Sequence, residues 1–307
     1  MNDWFEKNET IEDTKKRTVS YSQYKIYSTC PKQWRLQYVD FKQPFTDSID
    51  TVFGTAIHET IQEWLIQHFA DEKRAKRIDL DVPFKEHLLA EFKSRTNPNK
   101  SGVARFVCNK ETLWGYYNDG RAILTHLQKY ASDFFPTKGY KLLGCEIPLI
   151  VPLNENLQFK AYLDIVIADT RKNQIHIIDL KTSGRGWNSY QKKDSQKINQ
   201  ILLYKKFYSQ KFNVGLDNIF PRFIILKRKI TENQDFAIKR LSNFEPSHGK
   251  ISLGKAEKEW KTFIKECFDE TGMLRNRDFK ATPSEHNCKF CPFREKGCTE
   301  SWYTRIK

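Results

Sequence analysis

The stretch Gln174-Ile-His-Ile-Ile-Asp179-Leu-Lys181-Thr182 sets a carboxylate and an ammonium two residues apart at the end of an apolar, β-branched run. Side chains alternate along a strand. Asp179 and Lys181 therefore share a face with Ile175 and Ile177, while His176, Ile178 and Leu180 point the other way. Two charges side by side on a buried strand are costly unless compensated, and a divalent metal with a phosphate substrate would compensate them. Asp164 fits the same picture from the middle of a second strand-like run, Ala161-Tyr-Leu-Asp164-Ile-Val-Ile167. Downstream, Gln196, Gln200 and Tyr204 stand four apart on one helical stripe, where they could face the acids or a phosphate.

An acid in one strand, Asp-x-Lys ending the next, and a helix carrying Gln200-Ile-Leu-Leu-Tyr204 together resemble the RecB-like branch of the PD-(D/E)xK nuclease superfamily. Two upstream segments match as well. Tyr21-Ser-Gln-Tyr-Lys-Ile-Tyr-Ser-Thr-Cys30-Pro31-Lys-Gln-Trp34 resembles the first helix of that branch, and Phe53-Gly54-Thr-Ala-Ile-His58 its histidine motif. The similarity runs from about Tyr21 to Cys298, with its elements in the expected order.

The resemblance implies metal-dependent hydrolysis of phosphodiesters in DNA, by an exonuclease acting on single strands or accessible ends. A helicase or recombination protein in trans is an implied partner. Asp164 and Asp179 would hold Mg²⁺ or Mn²⁺, with the Leu180 carbonyl as a further ligand and Glu146 as a third carboxylate. Lys181 would orient the attacking water and stabilise negative charge. His58 would serve a second metal, and Gln200 and Tyr204 would position the phosphate. Plainer uses stay open: a surface ion pair for Asp179 and Lys181, a turn for Asp164, a solvated strand position for Glu146, a helix flank for His58 and core for Tyr204. So does a second function, a silent or endonucleolytic nucleic-acid-binding subunit on the same fold.

Four of the seven cysteines form a second pattern. Cys288-Lys-Phe-Cys291 is followed, after six residues that include Pro292 and Gly297, by Cys298. That loop can gather three thiolates, and a tetrahedral site needs a fourth ligand, for which Cys30 before Pro31 is the candidate. Related CRISPR-associated RecB-like and AddB-type nucleases clasp a [4Fe-4S] cluster with one N-terminal and three C-terminal cysteines. The spacing to Cys298 here is one residue longer than is usual among them. Zinc, with His286 as a ligand, and unliganded thiols are the alternatives. Cys108, Cys145 and Cys267 are isolated and read as core.

Composition favours a polyanionic partner: 307 residues with a net charge of +14, 52 Lys and Arg against 38 acids. Cysteine usage, the polar first residues and the lack of a long apolar run point to a reducing cytoplasm and no membrane span. No G-x-x-x-x-G-K-[ST] motif is present, so the chain carries no P-loop motor.

The elements needed to position these residues are legible in outline. Residues 1–18 read as a loose arm. Residues 19–140 are helical: Ser20 and Gln23 start a helix to about Thr29, Pro31 opens another, and a stripe of Ile57, Ile61, Trp64, Leu65 and Phe69 marks a third with His58 on its flank. Helical pattern continues from Asp71 to about Thr137, interrupted by a polar loop from Ser94 to Gly102. The core, residues 141–245, has strands at Leu142–Val151, Phe159–Ala168 and Ile175–Thr182. A helix from about Ser195 to Lys211 and strands at Arg222–Lys227 and Phe236–Leu241 complete it. Residues 246–307 hold a helix from Lys255 to Phe268 and the cysteine tract. The expected fold is α/β (α+β): a central mixed sheet of restriction-endonuclease-like type flanked by helices, with a helical subdomain and a cysteine-rich clasp.

Overall fold

Ser20 begins the first helix as expected, its hydroxyl accepting from Gln23 N–H. The reciprocal half of the box is absent: Gln23 Oε1 accepts from Trp34 Nε1 at 3.3 Å, and its amide N–H donates to Thr18 O at 3.0 Å. That bond ties the helix to a short strand within the expected arm. The computed structural model describes residues 16–42, 48–98, 104–230, 239–294 and 297–302.

The N-terminal elements are β1 (Arg17–Val19), α1 (Tyr21–Thr29), α2 (Pro31–Tyr38), α3 (Ile49–Ala70), α4 (Glu72–Ala75), α5 (Asp81–Ser94), β2 (Asn97–Pro98), β3 (Ala104–Arg105), α6 (Lys110–Lys129) and α7 (Ala131–Phe134). The sheet and its crossover follow as β4 (Tyr140–Pro152), β5 (Leu157–Asp169), β6 (Gln174–Ser183), α8 (Ser189–Lys193), α9 (Ser195–Phe212), β7 (Ile219–Lys227) and β8 (Leu241–Phe244). Helices α10 (Lys250–Cys267) and α11 (Glu285–Lys289) lead into the cysteine tract.

The mixed sheet has six strands in the order β1-β5-β6-β7-β8, with β4 antiparallel on the other edge of β5. Helix α9 lies in the parallel crossover from β6 to β7. Two cores cover the two faces. Ile175, Ile177, Phe159, Leu163 and Phe223 pack with Tyr24, Trp34, Phe207 and Trp260 from α1, α2, α9 and α10. On the opposite face Ile165, Ile178, Leu180 and Ile224 pack with Phe53, Ile57, Phe84 and Leu124 from α3, α5 and α6. The alternation read along β6 therefore holds. Among the described residues no helix is long and apolar enough to cross a membrane.

Several expectations are corrected. Arg17–Val19 is not part of a loose arm but pairs parallel with Leu157–Phe159. The polar loop before Gly102 contains a short strand, β2, which pairs with β3 just beyond it. Strand β7 starts three residues before Arg222, so Pro221 lies inside it. Pro221 pairs with Ile177 of β6, while β8 joins the other edge only from Phe223 onward, so no ladder donor is lost there. The last described strand is Leu241–Phe244; of the expected Phe236–Leu241 strand, residues 236–238 lie outside the described residues and Lys239 and Arg240 are not strand.

Two glycines of α6 report on its packing. A Cβ on Gly120 would stand 2.2 Å from Phe84 Cζ and 3.1 Å from Phe53 Cε2, whereas one on Gly115 meets nothing within 4 Å. Gly120→Ala should lower stability by about 1–3 kcal/mol through overpacking. Gly115→Ala should raise it by about 0.5–1 kcal/mol through helix propensity. Urea unfolding of both variants checks this, and equal effects would contradict the packing of α5 on α6.

Candidate active site in a fork of the sheet

One edge of β5 is shared by two strands. Its first residues, Leu157–Phe159, pair with β1, and its last, Ile165–Asp169, pair with β6. Between them the edge is open, and Asp164 stands where β6 departs. Its Oδ2 accepts from Leu180 N–H at 2.8 Å, so the side chain carries this link between the two strands just beyond their last ladder pair. Strand β6 continues beside β7 through Asp179 and Lys181, paired with Phe223 and Ile225. A cleft with an acid on each wall results.

Other elements aim into this fork. His58 of α3 has Nδ1 3.7 Å from Asp164 Oδ2. One turn later Gln62 donates to Glu146 Oε1 at 2.7 Å and to Asp164 O at 3.2 Å. Glu146 sits on β4 with φ of +49°, a backbone conformation that costs a non-glycine residue energy and turns its side chain out of the regular pleat. From the opposite face, Gln200 of α9 donates to Tyr204 Oη at 2.8 Å. Helix α3 comes close at Gly54, where a Cβ would lie 3.7 Å from Thr182 Oγ1.

The electrostatics are those of charge held out of water. Asp179 is 2 % exposed, and its Oδ2 lies 2.8 Å from Lys181 Nζ as an ion pair but without a hydrogen bond of good geometry. Burial pushes Asp179 up to about 6, against the pull of Lys181 and with the help of Asp164. Asp164 is raised to about 6 as well, by burial first, with Lys181 and the Leu180 N–H opposing. Burial would lower Lys181, but the two carboxylates beside it win and hold its ammonium above the ordinary value. His58 is lowered to about 4 by burial and by Lys181, so it is a neutral base at pH 7. Tyr204 is pushed well up by burial and by Asp179, and stays a protonated donor.

Among the described residues no three His, Cys, Asp or Glu side chains already close on one point as a finished metal site. The donor set nonetheless fits a hard divalent cation. It offers one buried and one half-buried carboxylate short of positive charge, one oxygen without a hydrogen bond, a neutral imidazole, and Glu146 alongside. Bound there, a cation would replace the protons that burial now favours.

The cysteines meet elsewhere. Cys30, Cys288, Cys291 and Cys298 line one small cavity between the α1–α2 junction and the C-terminal tract. Cys291 and Cys298 are pushed up by burial and, more weakly, by the other thiols of the group. His286 is exposed and does not line the cavity. Thr282 Oγ1 donates to Thr29 O at 2.7 Å, so a side-chain-to-backbone bond also joins the two segments that carry the thiols. Cys267 is buried core, and Cys145 and Cys108 are half-buried.

The sequence reading missed Gln62. Its signal was the four-residue spacing from His58, which puts both on one helix face. It also missed the backbone turn at Glu146, for which the sequence offers no marker.

The family model of the PD-(D/E)XK nuclease superfamily matches residues 18–296, and the chain belongs to that superfamily. No curated protein matches it.

The raised carboxylates give a pH test. Folded Asp164 and Asp179 keep protons up to about 6, above the usual carboxylate range. Their contribution to metal-free stability is therefore full below pH ~4 and is lost as pH rises through about 6. A divalent cation must displace these protons, so its stabilisation should run the other way. At fixed Mn²⁺, the rise in Tm should be small at pH 5 and full at pH 7.5. An equal rise at both pH values would contradict the site.

Proposed function

We propose that this protein is a Mg²⁺- or Mn²⁺-dependent deoxyribonuclease, an exonuclease that processes DNA ends in single strands or at accessible termini. The reading rests on one observation above all: the fork sets Asp164 and Asp179 on facing strands with Lys181 2.8 Å from Asp179. Family membership and the charge of +14 support it. Asp164, Asp179 and the Leu180 carbonyl would hold the cation, with Glu146 and His58 beside them. Such an ion, when bound, acidifies water and neutralises charge on a phosphate.

The chain's own groups divide the remaining work. Lys181, charged at neutral pH, orients the water that adds to phosphorus and stabilises negative charge as the bond to the leaving sugar oxygen breaks. Gln62 fixes Glu146 so that its second oxygen is free for the site. Tyr204 and Gln200 offer neutral donors to the non-bridging phosphate oxygens, and Tyr204 remains protonated throughout the physiological range.

For the thiol group we propose a structural [4Fe-4S] cluster held by Cys30, Cys288, Cys291 and Cys298, supported by their shared cavity. Its bonds would form only in the folded chain and so offset the entropy of closing a loop that spans most of the sequence.

Asp179→Ala and Lys181→Ala should each lower cleavage by at least ~10² while DNA binding persists, because the basic surface is untouched. Cleavage near wild-type by purified Asp179→Ala protein would remove this site from the chemistry. Protein purified without oxygen should be brown, with about four irons per chain. Cys30→Ser should lose iron and thermal stability together. Stoichiometric zinc without iron would make the clasp a zinc site.

A further inference from the structure

Helix α1 does more than pack. Tyr21, Tyr24 and Tyr27 face the core, while a second row of the helix, Tyr21, Lys25, Ser28 and Thr29, lies against the start of α9. The contacts fix this placement at both ends of the row. Tyr21 Oη donates to Gln196 O, and the Gln196 amide donates to Ser28 Oγ at 3.2 Å and Thr29 Oγ1 at 3.5 Å. Lys25 falls between these contacts, beside Gln196.

Gln196 is the outer member of the stripe that continues through Gln200 to Tyr204, inside the fork. One helical turn, about 5.4 Å, separates successive members. Lys25 thus stands outward of Gln200 along a line that begins at the carboxylates.

Three ammonium groups repel one another in this region. Lys181 is paired with Asp179, and Lys197 with Asp194 at 2.9 Å while lying over the Trp187 ring. Lys25 Nζ has no hydrogen-bond or ion-pair partner among the described residues. Lys25 is exposed on α1, and the dry surroundings of the helix junction, followed by repulsion from Lys181 and Lys197, hold it below its ordinary value against the pull of Asp194. An exposed ammonium that forms no ion pair among the described residues, beside the mouth of a phosphate site, adds to a positive field that draws an anion.

We propose that Lys25, with Lys197 beside it, binds the DNA phosphate adjacent to the scissile one, so that α1 positions the strand for the fork. This deepens the nuclease reading and rests on it. Lys25 is a positioning residue: it would set where the strand lies without touching the reacting atoms.

The test compares wild-type, Lys25→Gln and Lys25→Arg proteins on end-labelled single-stranded DNA with Mn²⁺. Lys25→Gln should raise KM about fivefold at low salt with kcat within about twofold, and Lys25→Arg should restore KM. The slope of log affinity against log salt should become shallower by about 0.7 for the lost phosphate contact. A neutral methylphosphonate next to the scissile position should weaken wild-type binding but not that of Lys25→Gln. Wild-type KM and salt slope in Lys25→Gln would overturn this proposal and leave the nuclease reading standing. A lowered Tm with an unchanged salt slope would make Lys25 structural and overturn it too. Wild-type protein that neither binds nor cuts DNA would overturn both.

Discussion

Burying two carboxylates beside one ammonium is the constraint on which this structure turns. Asp164 and Asp179 sit where β5 and β6 part; Asp179 is buried and Asp164 half-buried, so neither sheds its charge cost to water as freely as a surface acid would. The sheet supports them at the expense of its own regularity. A single edge of β5 is divided between β1 and β6, and the Asp164 side chain, bonded to Leu180 N–H, links the strands across the gap. A continuous ladder would have left no cleft, and an acid farther along either strand would have reached the solvent or the core.

The rest of the molecule holds the fork open and fills its sides. Helix α3 presses on one face and delivers His58 and Gln62. Helix α9 presses on the other and delivers Gln200 and Tyr204. Because α9 lies in the crossover between two parallel strands, its position is set by the same pairing that carries Asp179 and Lys181. The α1–α2 unit is in turn fixed to α10 through Tyr27, Trp34, Phe263, Phe268 and Phe279, whose rings meet edge to face or tilted. The thiol cavity lies beside this aromatic cluster. The α1–α2 unit and the segment from α10 to Phe279 are therefore clasped by packing.

How much of this was legible in the sequence follows from which interactions are local. The period-two pattern around Asp179 placed its side chain on the right face, because that face is decided within the strand. Helix stripes, caps and the Gln200–Tyr204 spacing are local in the same sense. The fork was not legible: it arises from competition between β1 and β6 for one edge, and β1 is three residues long within a segment that reads as polar arm. Gln62 escaped notice because its partners, Glu146 and the Asp164 carbonyl, lie about 80 to 100 residues away. The positive φ at Glu146 is likewise imposed by tertiary context, since glutamate has no intrinsic preference for it. The grouping of Cys30, Cys288, Cys291 and Cys298 around one cavity, by contrast, has a local signal, because thiol spacing is chemical information independent of fold.

The most direct measurement is digestion of end-labelled single- and double-stranded DNA by metal-stripped protein, with and without added Mg²⁺ or Mn²⁺. A metal-dependent exonuclease gives no cleavage in chelator, restoration by either ion, and products that shorten progressively from an end. Cleavage that persists in chelator, or intact DNA at saturating metal with the protein demonstrably bound, would contradict this reading.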